Sequence, residues 1–185
     1  MPVNSTTDIQ RLNLPVFKYR SEVVDSVLKH EVTLISGETG SGKSTQIPQF
    51  LHEARHRFKR GRELQAKQFR VCITQPRRVA AIALARRVSE EMGEKSTGGQ
   101  VGYRVRFEES MSRSTSICFL TDGMLVREAI LDNGMFKDYS IVILDEVHER
   151  SLHTDILLGL LSQAVISRRL TEFPLKVVVM SATMS

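Results

Sequence analysis

Five short β-branched runs, each separated from the next by a longer segment, leave this chain few folds to choose from. They are Val32-Thr33-Leu34-Ile35, Arg70-Val71-Cys72-Ile73-Thr74, Ser116-Ile117-Cys118-Phe119-Leu120, Ile141-Val142-Ile143-Leu144 and Lys176-Val177-Val178-Val179-Met180. Near-continuous apolar runs of this length suit strands covered on both faces, and helical segments between them supply the crossovers that parallel neighbours need. The helices are legible as well. The segment 75–92 carries Val79, Ile82, Ala83 and Val88 at helical spacing. Thr121-Asp122-Gly123 offers capping residue types ahead of a helix over 124–131, and Thr154-Asp155 does the same ahead of 156–167. The segment 101–107 alternates apolar and basic residues and predicts one more short strand near the sheet. The expected fold class is α/β, a mostly parallel sheet flanked by helices.

With 185 residues and 41% apolar content, the chain suffices for one well-cored domain, expected over 16–185 behind a polar N-terminal segment, 1–15. The 26 Lys and Arg against 21 Asp and Glu give a net charge of +5, compatible with a phosphate-bearing partner without requiring one. Cys72 and Cys118 lie in apolar runs without metal-ligand spacing to the histidines, so they read as buried, reduced thiols. Residues 1–10 lack an apolar signal-type core and no later apolar run reaches membrane-spanning length, which predicts an intracellular chain with no membrane partner.

Gly37-Glu38-Thr39-Gly40-Ser41-Gly42-Lys43-Ser44, followed by Thr45, fits the phosphate-cradling pattern G-x-x-x-x-G-K-[ST] after an apolar strand and at the opening of a helix. Glycines allow a tight turn that aims backbone N–H groups at phosphates, and the helix N-terminus adds positive potential. Lys43 would hold β- and γ-phosphate oxygens, and Ser44 would ligate Mg²⁺. The strand 141–144 ends in Asp145-Glu146-Val147-His148-Glu149-Arg150. Asp145 fits the second metal ligand and Glu146 a carboxylate that orients water and accepts its proton. A bound cation would also let two adjacent acids stay ionised.

Together with Thr74-Gln75-Pro76-Arg77-Arg78-Val79-Ala80-Ala81, Thr121-Asp122-Gly123-Met124-Leu125 and Ser181-Ala182-Thr183, these stretches resemble the DEAH/RHA group of superfamily 2 RNA helicases from about Phe17 onward. One position departs from it: Val147 stands where that family has Ala, a DEVH spelling shared with another helicase branch. The neighbouring Gln75-Pro76-Arg77-Arg78 and His148-Glu149-Arg150 favour DEAH/RHA, and Val147 predicts modest local repacking.

The resemblance implies a RecA-like P-loop NTPase domain in which the strand ending at Met180 lies between the Gly37 strand and the Asp145 strand. It implies ATP or another NTP with Mg²⁺ as cofactors. Catalytic roles fall on Asp145, Glu146 and His148, and Ser181 and Thr183 join His148 in coupling nucleotide state to RNA handling. Arg77 and Arg78 match an RNA-phosphate contact, with a solvated helix face as the alternative. Thr121, with the backbone amides after it, matches another, with simple N-capping equally open. Arg87 matches the arginine on which this family stacks the nucleotide base, with a solvated arginine as the competing reading. The basic run 55–62 reads as a solvated loop at least as well as an RNA contact.

The same resemblance implies that the chain is a fragment of a longer helicase, its partners being RNA, a second RecA-like domain carrying arginine fingers and, as a further option, an activating protein cofactor. The fragment alone should turn over ATP feebly. A stand-alone nucleotide- or RNA-binding module without turnover is the alternative. The stretches Phe136-Lys137-Asp138-Tyr139 and Pro174-Leu175-Lys176 are similar to the ribosome-biogenesis branch, from which a nuclear or nucleolar location would follow.

Overall fold

The computed structural model describes residues 11–58 and 69–182. In chain order the elements are α1 (Arg20–Lys29), β1 (Val32–Ser36), α2 (Lys43–Glu53), β2 (Val71–Gln75), α3 (Arg78–Glu91), β3 (Val101–Val105), β4 (Glu108–Ser110), β5 (Ile117–Thr121), α4 (Asp122–Leu131), β6 (Ile141–Leu144), α5 (Leu152–Arg168) and β7 (Lys176–Ser181). Short 3₁₀ turns precede α1 (Pro15–Tyr19), follow α2 (Arg55–Phe58) and follow β6 (Val147–Glu149). The strands form one sheet in the order β1-β7-β6-β2-β5-β3-β4. Every pairing is parallel except the β3–β4 hairpin.

Alternation along each strand divides the core into two layers, because successive side chains point to opposite faces. Ile141 and Ile143 join Ile73, Phe119, Val178 and Met180 beneath α1, α2 and α3, where Val27, Ile47, Phe50, Ala85 and Val88 meet them. Val142 and Leu144 join Cys72, Cys118, Leu120 and Val177 beneath α4 and α5, against Leu125, Leu157 and Leu161. This is the α/β fold the alternating pattern predicts, and β7 does lie between β1 and β6. Cys72 and Cys118 face each other in register, both buried and unbridged, and burial pushes the Cys72 thiol up. Among the described residues no helix is long and apolar enough to cross a membrane.

Three local expectations need correction, and a fourth is borne out and sharpened. The helix expected from Gln75 begins at Arg78, because Gln75 completes β2 opposite Thr121, and the residue before Pro76 is disfavoured in helical backbone. The helix expected from Ile156 begins at Leu152: Ser151, not the Thr154-Asp155 pair, caps it, accepting from the Thr154 N–H at 3.0 Å. Thr121 does stand in the N-cap position of α4, with extended backbone, but its hydroxyl makes no capping bond. The 101–107 segment is not merely near the sheet; Val101–Val105 is an integral strand, turning at Phe107 (φ 68°) into β4.

Residues 11–15, expected as polar lead-in, dock on the Gly37–Ser44 loop. The Val16 N–H donates to the Ser41 carbonyl at 3.1 Å, and a Cβ on Gly42 would sit 2.9 Å from Leu14 Cδ1. Gly42 also has φ 93°, so a side chain here would be strained even if Leu14 gave way. Phe136, Tyr139 and Leu175 are core residues, 1–3% exposed. Residues 1–10, with their missing apolar core, and 59–62 of the basic run lie outside the described residues. The described part of that run is engaged locally: Arg57 pairs with Asp25 at 2.7 Å and Arg55 donates to the His52 carbonyl at 3.1 Å.

His52, on α2, gives the fold a pH dependence. Burial first, then the charge of Arg55, holds its imidazole below the ordinary range. The unfolded chain therefore takes up a proton near pH ~6.5 that the folded chain refuses. Stability is full above that range and falls as pH drops from the ordinary value to the depressed one. In urea titrations of the 185-residue chain, the unfolding midpoint should decline across this window, and His52→Leu should flatten the decline.

Candidate functional site

Parallel pairing fixes where the site must be. All parallel strands end at one edge of the sheet, so the segments leaving them collect there: 37–42 after β1, 76–77 after β2, 106–107 after β3, the direct junction of β5 with α4 at 121–123, 145–150 after β6 and 182 after β7. This edge is where α/β sheets place ligands.

The Gly37–Ser44 loop is closed by its own bonds. The Gly37 N–H donates to the Ser181 carbonyl at 3.3 Å, and Ser41 Oγ donates to the Glu38 carbonyl at 2.7 Å. Gly40 and Gly42 adopt φ of 79° and 93°, and Glu38 and Thr39 are exposed at its rim. Lys43 is the first residue of α2, and its Nζ donates to the carbonyls of Gly37 (2.5 Å) and Glu38 (2.8 Å) and to Ser41 Oγ (3.3 Å). No side chain caps α2 and no acid occupies its first turn, so its leading N–H groups remain available to an anion.

Asp145 joins this loop to β6 and β2. Its carboxylate is 3% exposed and accepts from Gln75 Nε2 at 2.5 Å and from the Glu146 N–H at 2.9 Å, with the Ser44 hydroxyl beside it favouring the ionised form. Burial pushes the carboxyl above its ordinary range, and the Glu146 charge adds to this, while the Ser44 and Gln75 bonds oppose it. Glu146 and Arg150 bracket the Val147–Glu149 turn with φ of 54° and 50°, a left-handed backbone that costs residues with side chains of order 1–3 kcal/mol. Val147 itself packs on the Leu144 layer, as an apolar residue there must.

His148 connects Glu146 to β7. The Ala182 N–H donates to its Nδ1 at 3.3 Å, which leaves the ring proton of the neutral form on Nε2, 3.3 Å from Glu146 Oε2. Ser181 ends β7 opposite Ser36, so the Ser-Ala stretch lies beside both the phosphate loop and the acidic loop. Thr183 lies outside the described residues.

The basic residues divide. Arg77 and Arg78 are exposed at the same edge, Arg77 3.4 Å from Glu149 and Arg78 4.0 Å from Glu108. Thr121 lies half-buried beside them, its hydroxyl unspent on capping. Arg87, near the C-terminal end of α3, is apart from this group, its Nε 2.7 Å from Glu91. Glu91 is a hub, accepting also from Gln46 and Gln49 of α2 at 2.8 Å, and Gln46 in turn donates to Thr45 at 3.0 Å.

Sequence reasoning missed Gln75 as a partner of Asp145, although it stands in a stretch already singled out. It also missed the hairpin tip, where Phe107 is 88% exposed with the Arg106 guanidinium 4.7 Å over its ring. The signal was the Arg-Phe pair ending the 101–107 alternation.

Comparison with known proteins agrees with this geometry. The DEAD/DEAH box helicase family model matches residues 17–185. The chain is 48% identical over 184 residues to "ATP-dependent RNA helicase DHX33" of Mus musculus, covering 99% of this chain and 25% of that protein. It is 44% identical to "Probable ATP-dependent RNA helicase kurz" of Drosophila melanogaster and 41% identical to "Probable ATP-dependent RNA helicase DHX37" of Homo sapiens, in each case over the whole chain and 15% of the relative. The chain thus spans a quarter or less of the length of these relatives. An edge that gathers a phosphate loop, a buried carboxylate and exposed arginines, and a family match over nearly its whole length, place the chain in the DEAD/DEAH box helicase family.

Proposed function

We propose that the chain is the ATP-binding, first RecA-like domain of a DEAH/RHA-type RNA helicase that hydrolyses NTP to translocate on or unwind RNA. The observation that carries this reading is the meeting of the Ser44 hydroxyl with the buried Asp145 carboxylate, beside Lys43 and Glu146. The Gly37–Thr45 backbone and the uncapped start of α2 suit a triphosphate, and Lys43 would exchange loop carbonyls for its oxygens. Mg²⁺ fits the donor set, since a hydroxyl and a carboxylate are hard oxygen ligands and this metal binds through few protein groups plus phosphates. When bound, it would neutralise phosphate charge and favour the ionised form of Asp145 that burial disfavours.

Glu146 would orient the attacking water and accept its proton. His148 holds that carboxylate from one side and the Ala182 amide from the other, so movement at the end of β7 would be felt at Glu146. Base stacking by Arg87 would have to coexist with its pair to Glu91 through Nε, on a side chain that is 47% exposed. RNA would lie across Arg77, Arg78 and Thr121. A second RecA-like domain would complete the nucleotide site with an arginine finger, and an activating protein cofactor is a further proposed partner. A role in ribosome biogenesis and a nuclear or nucleolar location rest on the likeness of the 136–139 and 174–176 stretches. Phe136, Tyr139 and Leu175 are buried, so at those three positions the likeness is one of core packing.

In the full-length protein Glu146→Gln should leave Mg-ATP affinity intact and lower hydrolysis by about 10²–10⁴. Equilibrium binding and steady-state turnover test this, and undiminished turnover would remove Glu146 from the role. Arg77→Ala with Arg78→Ala should weaken single-stranded RNA binding across sequences and lower the slope of log affinity against log salt by about 1–2. An unaltered slope would return both arginines to a solvated face.

A further inference from the structure

The Asp122 side chain has no part in the roles assigned above, yet it joins two of the loops that carry them. It is 5% exposed and opens α4 immediately after Thr121. Its Oδ2 accepts from Ser151 Oγ at 3.2 Å and from Thr154 Oγ1 at 2.9 Å, residues 29 and 32 positions further along the chain. Those two hydroxyls lie 2.7 Å apart. Ser151 directly follows Arg150, where the acidic loop leaves its left-handed backbone. The His153 ring lies against Gly123, 3.6 Å from where a Cβ would stand.

Two features argue that this contact serves more than stability. Asp122 Oδ1 is buried with no hydrogen-bond partner among the described residues, and an unpaired buried carboxylate oxygen is destabilising. Capping of α5 does not require it either, since Ser151 Oγ already satisfies the Thr154 N–H. The sheet order supplies the second feature. β2 separates β5 from β6, so no direct strand pairing joins the 121–123 segment to the 145–150 loop, and the bridge through β2 is Gln75, opposite Thr121 and bonded to Asp145 at the far end of that loop from Ser151. Asp122 spans that gap with a carboxylate on one side and two hydroxyls on the other.

We propose that Asp122 is a positioning residue that couples the acidic loop to the RNA-contacting loop. Displacement of the Asp145–Arg150 loop moves Ser151, Ser151 and Thr154 pull on the Asp122 carboxylate, and Asp122 resets the backbone that presents Thr121. The inference rests on the reading of the nucleotide and RNA sites above.

The test uses the full-length protein and a fluorescent single-stranded RNA oligonucleotide. RNA affinity is measured by anisotropy with and without a non-hydrolysable ATP analogue, and the ratio of the two is the readout. The unmodified protein should show a ratio of about fivefold or more in either direction. Thr154→Val, which removes one hydroxyl donor of the buried carboxylate and so lowers the melting temperature somewhat, should bring the ratio toward one while RNA affinity without nucleotide stays put. Asp122→Asn should lower the ratio at least as far, whereas Arg77→Ala should weaken both affinities and keep their ratio. A full ratio in both Thr154→Val and Asp122→Asn would overturn the proposal, as would a parallel fall of both affinities with melting temperature, the mark of a purely structural bond. A ratio of one in the unmodified protein would overturn the coupling reading itself, and this inference with it.

Discussion

Asp145 brings three parts of the chain together with one carboxylate. It leaves β6, receives the Ser44 hydroxyl from the start of α2 and the Gln75 amide from the end of β2, and is 3% exposed. A carboxylate this deep is costly to ionise, and its hydrogen bonds only partly offset that cost. The arrangement is nevertheless held by parallel pairing of β1, β7, β6 and β2, whose ends cannot separate without breaking the ladder. Every other element of the site is placed relative to this point: Lys43 beside Ser44, Glu146 beside Asp145, and His148 between Glu146 and the end of β7.

The fold was readable because its signals are local. Runs such as Ile141–Leu144 are apolar at every position and are buried on both faces, although the edge strand β1 leaves Val32 and Leu34 exposed, and the Gly-Lys-Ser stretch needs no distant partner to be recognised. The features that escaped are those decided by contacts far apart in sequence. Thr154-Asp155 has the composition of a helix start, but Thr154 gives its hydroxyl to Asp122, 32 residues earlier, and Ser151 caps the helix instead. Gln75 looked like the first residue of a helix and is the last of a strand, where its amide faces an acid 70 residues away. The docking of residues 11–16 on the phosphate loop was equally invisible, because it depends on the Cβ-free Gly42.

The strained backbone at Glu146 and Arg150 gives the acidic loop its character. Two left-handed residues flank a single 3₁₀ turn, so the backbone strain of the loop is concentrated at its two ends. On one side it touches β7 through His148, and on the other it leads through Ser151 to α4. The acids of this loop and the exposed arginines after β2 therefore meet through side chains, Arg77 with Glu149 among them, as well as through the pairing of β2 with β6.

The central claim is that Ser44 and Asp145 form one metal-dependent nucleotide site. The direct measurement is calorimetric binding of ADP to the 185-residue chain, with Mg²⁺ and with chelator, compared with Asp145→Asn. The account predicts that Mg²⁺ tightens ADP binding to the unmodified chain and leaves the Asp145→Asn chain unaffected. Equal ADP affinity with and without Mg²⁺ in the unmodified chain, or an undiminished Mg²⁺ effect in Asp145→Asn, would contradict it.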